Sequence, residues 1–150
     1  MKMKKLLLAI LLVTIGFSAN AQHSEENEMR KNSIYFDTGL MPGYHAFVNY
    51  ERSFYQGKWV SWYGRMGLGY GGLIFAGGGF GALGAVTLLT GKKNSHFELN
   101  TGLFSGNEGT ESIILPIIDI GYRYQKPEGG LVFKAKIGIL GVGFGVGYAF

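Results

Sequence analysis

The stretch that decides the fold is Gly141-Val-Gly-Phe-Gly-Val-Gly-Tyr-Ala-Phe150, the last ten residues of the sequence. Large apolar side chains alternate here with glycine or alanine without a break; they are Val142, Phe144, Val146, Tyr148 and Phe150. Successive side chains of a β-strand point to opposite faces, so a period of two places every large group on one face. The pattern predicts a strand with one face towards lipid and the other towards a crowded interior.

The same alternation continues towards the N-terminus. From residue 33 onward, stretches of roughly ten residues alternate between apolar and polar or small side chains, as in transmembrane barrel strands. In the stretch 131–139 this directs Lys134 and Lys136 inward, because the opposite register would place each lysine in hydrocarbon at a cost of roughly 2 to 4 kcal/mol. The pattern predicts an all-β fold, an eight-stranded antiparallel up-and-down transmembrane β-barrel over residues 33–150.

Residues 66–91 are the part of this barrel with the weakest alternation. They contain no charged residue, and hydropathy alone would permit a transmembrane helix there. Ten of these 26 residues are glycine, and each glycine is less favourable in a helix than alanine by about 1 kcal/mol. We therefore expect strands in this region, with a helical protein of the inner membrane as the alternative.

The N-terminus has the pattern of an export signal. A basic start leads into the apolar run 6–17, which is followed by Ala19-Asn-Ala21. About a dozen apolar residues are too few for a spanning helix, which needs roughly 20. We predict a signal peptide over residues 1–21 that is cleaved after Ala21, a flexible periplasmic segment over residues 22–32, and location in the outer membrane of a Gram-negative bacterium.

Charge and cysteine content exclude several classes of function. Without residues 1–21, the chain has 11 lysines and arginines against ten aspartates and glutamates, a formal charge of +1. This balance argues against a nucleic-acid partner, which would require a basic cluster. The absence of cysteine excludes disulfides, thiolate metal sites and a cysteine nucleophile, and we expect no metal site.

The predicted interior carries a balanced set of charges. Alternation directs four acids and four bases inward: Asp37, Glu51, Glu98 and Asp119 with Arg65, Arg123, Lys134 and Lys136. An eight-stranded barrel is only wide enough for side chains to fill it. We therefore expect these charges to pair across a closed lumen, which favours a structural or surface-interaction role. The alternative is a narrow channel for ions or small solutes.

Two further patterns bear on enzymatic function. The spacing Gly79-Phe-Gly81-Ala-Leu-Gly84 matches a dinucleotide-binding motif, but no amphipathic helix follows it, so we expect no cofactor. His45 is predicted in the first outer loop, where it could meet Ser105 or Ser112 in space. A lipid-modifying enzyme is therefore the second alternative, although we expect a protein without catalytic residues.

Aromatic residues are expected to form girdles at the two membrane interfaces. The candidates are Trp59, Trp62, Tyr63, Tyr70, Tyr122 and Tyr124. We interpret them as anchors that hold the barrel at a set depth in the bilayer.

The second half of the sequence resembles a known class of proteins. Asp119-Ile-Gly-Tyr-Arg-Tyr-Gln125, Gly129-Gly130, Phe133-Lys-Ala135 and the terminal Gly147-Tyr-Ala-Phe150 resemble uncharacterised small outer-membrane barrels with the general fold of outer-membrane proteins A and X. The resemblance implies a membrane location and contact with outer-membrane lipid, but no catalytic or ligand-binding residues. In that class the aromatic C-terminal strand looks like the signal read by the barrel-assembly machinery, here Phe144, Tyr148 and Phe150. No feature of the sequence indicates an oligomeric state.

Overall fold

The computed structural model describes residues 28–91 and 93–150 and shows a closed barrel of eight antiparallel strands in up-and-down order. Each strand pairs with the next along the chain, and β1 pairs with β8 to close the cylinder. The strands are β1 (Asn32–Leu40), β2 (Gly43–Gln56), β3 (Val60–Leu73), β4 (Gly77–Thr90), β5 (Ser95–Glu108), β6 (Glu111–Gln125), β7 (Gly130–Gly138) and β8 (Gly141–Ala149). The all-β, eight-stranded prediction is confirmed.

The uncharged stretch 66–91 forms the second half of β3 and all of β4, so the prediction of strands there is correct. No helix in the described part of the chain is long and apolar enough to cross a membrane. The signal peptide predicted over residues 1–21 lies outside the described residues.

The turns at one end of the barrel are short. The β5–β6 connection uses two residues, and Gly109 takes a positive φ of 63° that suits glycine. The β7–β8 connection also uses two residues, Ile139 and Leu140. His45 lies within β2 rather than in a loop, because β2 already begins at Gly43. Little chain is therefore left outside the strands at this end.

The strands of the barrel fall into two classes of length. Strands β2 to β6 have 14 or 15 residues each, whereas β1, β7 and β8 have nine. Pairing between β6 and β7 begins only at Asp119 and Gly138, so residues 111–118 of β6 pair with β5 alone. Pro116, which lacks a backbone N–H to donate, lies in this part of β6, where proline is tolerated at a sheet edge.

We call the end of the barrel that contains residues 28–31 and the chain terminus the N-terminal end, and the opposite end the far end. The N-terminal end contains the β2–β3, β4–β5 and β6–β7 turns, and the far end contains the other four turns. The extra length of β2 lies at the N-terminal end, where its residues 53–56 continue past β1. The extra length of β6 lies at the far end, where its residues 111–118 continue past β7.

β4 and β5 approach each other closely at several glycines, and Gly102 is one of them. A Cβ added at Gly102 would lie 2.5 Å from the Cα and Cβ atoms of Ala85, whereas a Cβ at Gly84, one position along the β4 ladder, would have no atom within 4 Å.

We therefore expect Gly102→Ala to lower the free energy of unfolding by about 1 to 3 kcal/mol, because the two strands must separate to admit the methyl group. Gly84→Ala is the matched control and should change stability by less than about 0.5 kcal/mol. Thermal unfolding followed by circular dichroism would measure both variants. Equal stability of the two would contradict the close approach.

Candidate functional site

The interior of the barrel is the most distinctive chemical feature of the structure. All eight predicted interior charges point inward, and each is at most 7% exposed; they are Asp37, Glu51, Arg65, Glu98, Asp119, Arg123, Lys134 and Lys136. They come from β1, β2, β3, β5, β6 and β7 and form a buried salt-bridge network. The network divides into two groups of four.

The first group, which we call the Glu quartet, consists of Glu51, Glu98, Arg123 and Lys134. Arg123 donates a short charged hydrogen bond to Glu51, and its Nη1 lies 3.6 Å from Glu98 Oε2. The Nζ of Lys134 lies 3.2 Å from Glu51 and 2.8 Å from Glu98. Each base therefore contacts both acids, and the quartet is formally neutral.

The second group, the Asp quartet, repeats this arrangement with Asp37, Asp119, Arg65 and Lys136. The guanidinium of Arg65 lies 2.9 Å from Asp37 and 3.9 Å from Asp119. The Nζ of Lys136 lies 2.6 Å from Asp37 and 3.5 Å from Asp119. Burial of eight charges is tolerable only with such pairing, because an isolated buried ion would cost several kcal/mol.

Tyr35 connects the two quartets. Its hydroxyl donates a short hydrogen bond to Glu51, and its ring lies 3.9 Å from the Nζ of Lys134. The guanidinium groups of Arg65 and Arg123 lie 5.6 and 5.8 Å from the same ring, within the range of cation–π attraction. Alternation predicts that Tyr35 points inward, but not that its ring contacts bases of both quartets.

Asparagine side chains extend the network. Asn49 donates to Asp37 at 3.2 Å and accepts from Arg65 Nε at 3.0 Å. Asn100 donates to Glu98 at 2.7 Å. Both have the inward parity of their strands, so the sequence signal was present, although we did not include them among the site residues. They satisfy lone pairs and protons that the ion pairs leave open.

The two histidines within the described residues are interior groups and not loop residues. His45 is buried in β2, its Nδ1 lies 3.1 Å from the carbonyl oxygen of Leu140, and its Nε2 lies 3.9 Å from Asp37. His96 is buried in β5 between the carbonyl oxygens of Thr90 and Gln125, at 2.9 and 3.1 Å. Among the described residues, no hydrogen bond joins His45 to Ser105 or Ser112, the two serines predicted as its possible partners.

An apolar layer closes the lumen at the far end. It consists of Phe47, Leu83, Phe104, Leu115, Ile117 and Leu140. The rings of Phe47 and Phe104 contact each other with centroids 5.2 Å apart. Leu140 is only 3% exposed although it lies in the β7–β8 turn, so this turn folds inward over the Asp quartet.

Residues 28–31, which we call the strap, close the N-terminal end. Met29 is buried against Tyr63 and Leu89, and the side-chain amide of Gln56 both accepts from its N–H and donates to its carbonyl oxygen, at 3.0 and 2.8 Å. Arg30 donates to backbone carbonyl oxygens of the β6–β7 turn. The strap therefore crosses the opening of the lumen.

Two sequence-based placements change at this end. Tyr63, expected in an interfacial girdle, points into the lumen with the same parity as Arg65 and is fully buried. The segment predicted as flexible over residues 22–32 lies partly outside the described residues, and its last residues form the strap and the start of β1. The aromatic residues of the C-terminal strand, Phe144 and Tyr148, point outward and are exposed, as is Phe150.

Neither a metal centre nor a relative helps to assign a role. Within the described residues, no group of three or more His, Cys, Asp or Glu side chains could hold a metal ion. No family model, curated protein or solved structure matches the chain.

Glu51 has five polar partners in the network, which are Ser33, Tyr35, Thr87, Arg123 and Lys134. We expect Glu51→Gln to lower the free energy of unfolding by about 3 to 5 kcal/mol, since it leaves two buried bases with one acid. Denaturant unfolding of the purified barrel would measure this loss.

Glu111→Gln, which removes an exposed acid at the start of β6, is the control and should change stability by less than about 0.5 kcal/mol. The double variant Glu51→Gln with Lys134→Met should recover part of the loss, because it also removes a stranded ammonium group. A loss of similar size in all three variants would contradict the pairing.

Proposed function

We propose that this chain is an integral protein of the outer membrane of a Gram-negative bacterium, and that it crosses the bilayer as a closed barrel with a structural or surface-interaction role. One observation carries the proposal: the outward face is a continuous band of exposed apolar side chains around a closed cylinder. The band includes Ile34, Phe36, Val48, Met66, Leu68, Leu99, Leu103, Ile118, Ile120, Phe133, Ile137, Val142 and Phe144.

The position of the charged residues supports a membrane location. Outside the lumen, the charged side chains of the described residues lie in the strap, in turns or near strand ends; they are Glu28, Arg30, Lys31, Arg52, Lys58, Lys93, Glu108, Glu111, Lys126 and Glu128. The middle of the outward face is thus free of charge, as hydrocarbon requires. Closure also satisfies the backbone hydrogen bonds, which open sheet edges in lipid would leave unmade.

Aromatic side chains near both ends of the barrel fit interfacial girdles. Trp62, Tyr122 and Tyr148 lie on outward positions towards the N-terminal end, and Tyr44 and Tyr70 stack on the outward face towards the far end with centroids 6.0 Å apart. Aromatic rings with a polar atom prefer the interface between lipid and water. The two groups would hold the barrel at a set depth.

The route to the membrane is part of the same proposal. The export signal predicted over residues 1–21 would carry the chain to the periplasm. The outward aromatic groups of the last strand, Phe144 and Tyr148 with Phe150, would be the signal for the barrel-assembly machinery. The N-terminal end would then face the periplasm and the far end would face outward.

Gel mobility of the outer-membrane fraction is the experiment that tests this proposal. We expect the unboiled protein to migrate differently from the boiled one, because a closed barrel resists detergent until it is heated. Leu68→Arg should reduce the folded band, since an arginine near the middle of the lipid-facing wall costs roughly 2 to 4 kcal/mol. Tyr55→Arg, close to the N-terminal rim, should keep it. Recovery in the inner membrane without a mobility shift would contradict the proposal.

A narrow channel is the second candidate, because charged groups line the lumen. We expect no conductance steps from the wild-type protein in planar bilayers, since the far-end apolar layer and the strap close the two ends and the quartets fill the middle. Conductance that disappears in Arg123→Gln or Lys134→Gln would contradict this expectation and assign the channel function.

We also propose that the protein is not an enzyme. The buried position of His45, with its Nδ1 against a backbone carbonyl oxygen, supports this view, because a lipid-modifying histidine would have to reach substrate beside a serine. A change in membrane acyl composition on deletion that wild type restores and His45→Ala does not would contradict it.

A further inference from the structure

The short side of the barrel carries a groove on its outward face. The groove has a volume of about 510 Å³ and an almost wholly apolar lining that includes Phe36, Thr38, Tyr122, Phe133, Ala135 and Phe144. Its shape follows from strand register: Ala135 lies between Tyr122 and Phe144, and Thr38 lies on the other side of Phe144. Two small side chains among large rings leave a depression on each side of Phe144.

The strands on this side are the shortest of the barrel. Strands β1, β7 and β8 have nine residues each. At about 3.3 Å per residue and a tilt of about 40°, such strands cover about 23 Å of the membrane normal, against an apolar band of about 25 Å. These strands therefore span the band with little length to spare, and the apolar groove between them offers one hydrocarbon chain added contact.

Basic side chains lie near the groove, at the N-terminal end of the barrel. Tyr122 lines the groove on its β6 side, and its hydroxyl lies 2.7 Å from Ser95 Oγ in the adjacent strand. Just beyond, the β4–β5 and β6–β7 turns are joined by a hydrogen bond from Gln125 N–H to the Asn94 carbonyl oxygen. Lys93 and Lys126 lie exposed in these turns, and neither takes part in an ion pair of the described residues.

The two ends of the barrel differ in charge. Within the described part of the chain, the far-end rim carries Glu108 and Glu111 and no base. The N-terminal rim carries six bases against two acids; they are Arg30, Lys31, Arg52, Lys58, Lys93 and Lys126 against Glu28 and Glu128. Ammonium and guanidinium groups at a membrane surface attract anionic head groups.

We propose that the groove binds one acyl chain of an anionic phospholipid in the leaflet at the N-terminal end, and that Lys93 and Lys126 hold its phosphate. This inference rests on the membrane location proposed above. A second copy of the chain fits the site less well. A two-fold axis along the membrane normal would bring the same lysines of both copies to one level, where like charges repel.

Lipid binding to the purified barrel, measured by native mass spectrometry, tests the proposal. The probes are phosphatidylglycerol and phosphatidylcholine with identical acyl chains. Ala135→Phe fills the groove from β7, and Thr38→Phe fills it from β1. Ala82→Phe is the matched control, because Ala82 is an exposed outward residue of β4 outside the groove. For the head group, Lys93→Gln with Lys126→Gln is compared with Lys58→Gln.

We expect both groove variants to bind either lipid about tenfold more weakly than wild type, as loss of about 50 Å² of apolar contact implies. Ala82→Phe should bind like wild type. The double lysine variant should lose the preference for phosphatidylglycerol and keep its affinity for phosphatidylcholine, whereas Lys58→Gln should keep the preference.

Unchanged lipid affinity in both groove variants would overturn the proposal. So would a wild-type dimer that the groove variants abolish, because the occupant would then be a second copy. An unchanged preference in the double lysine variant would overturn the head-group assignment. The heat-dependent mobility shift is measured for every variant, so that failure of the lipid site can be told from failure of the membrane proposal. A wild-type protein without the shift would overturn the membrane location and the lipid site together. Variants that show the shift but bind lipid as wild type does would overturn the lipid site alone.

Discussion

Closure of the sheet by β1 and β8 is the constraint on which the rest of the structure depends. A cylinder of eight strands encloses space for side chains and little more. Any charge that points inward must therefore find a partner within that space, because the lumen has no room for a hydration shell. The four acids and four bases of the interior meet this requirement by contact across the lumen from six different strands.

The division of these charges into two neutral quartets has a physical reason. When each base contacts both acids of its group, no carboxylate depends on a single partner, and each quartet compensates its own charge over a short distance. Tyr35 lies where the two groups meet and contributes a hydroxyl to one and a ring face to the bases of both. The apolar layer and the strap then close the ends, so water is kept from the pairs on both sides.

The outward face follows a separate rule. It places apolar groups along the middle of every strand and charged groups at the ends, which suits a slab of hydrocarbon between two polar surfaces. The wall is nevertheless uneven, since β1, β7 and β8 are five or six residues shorter than their neighbours β2 and β6. The groove lies on this shorter side. The difference in charge makes the two ends of the barrel distinct. The difference in strand length makes one side of its wall distinct.

The sequence by itself determined the strands and their faces, because alternation is a local property and a lysine in hydrocarbon excludes the opposite register. Lys134, Lys136 and the glycines of the last strand illustrate this, and the same parity, followed from Arg65, would have placed Tyr63 inside. Only the tertiary structure decided which acid contacts which base and that His45 contacts Leu140. It also decided that Met29 closes the lumen and that Ala135 and Thr38 leave a groove beside Phe144. These features depend on the offset between strands distant in sequence and on turns of two residues, and no local pattern encodes that offset.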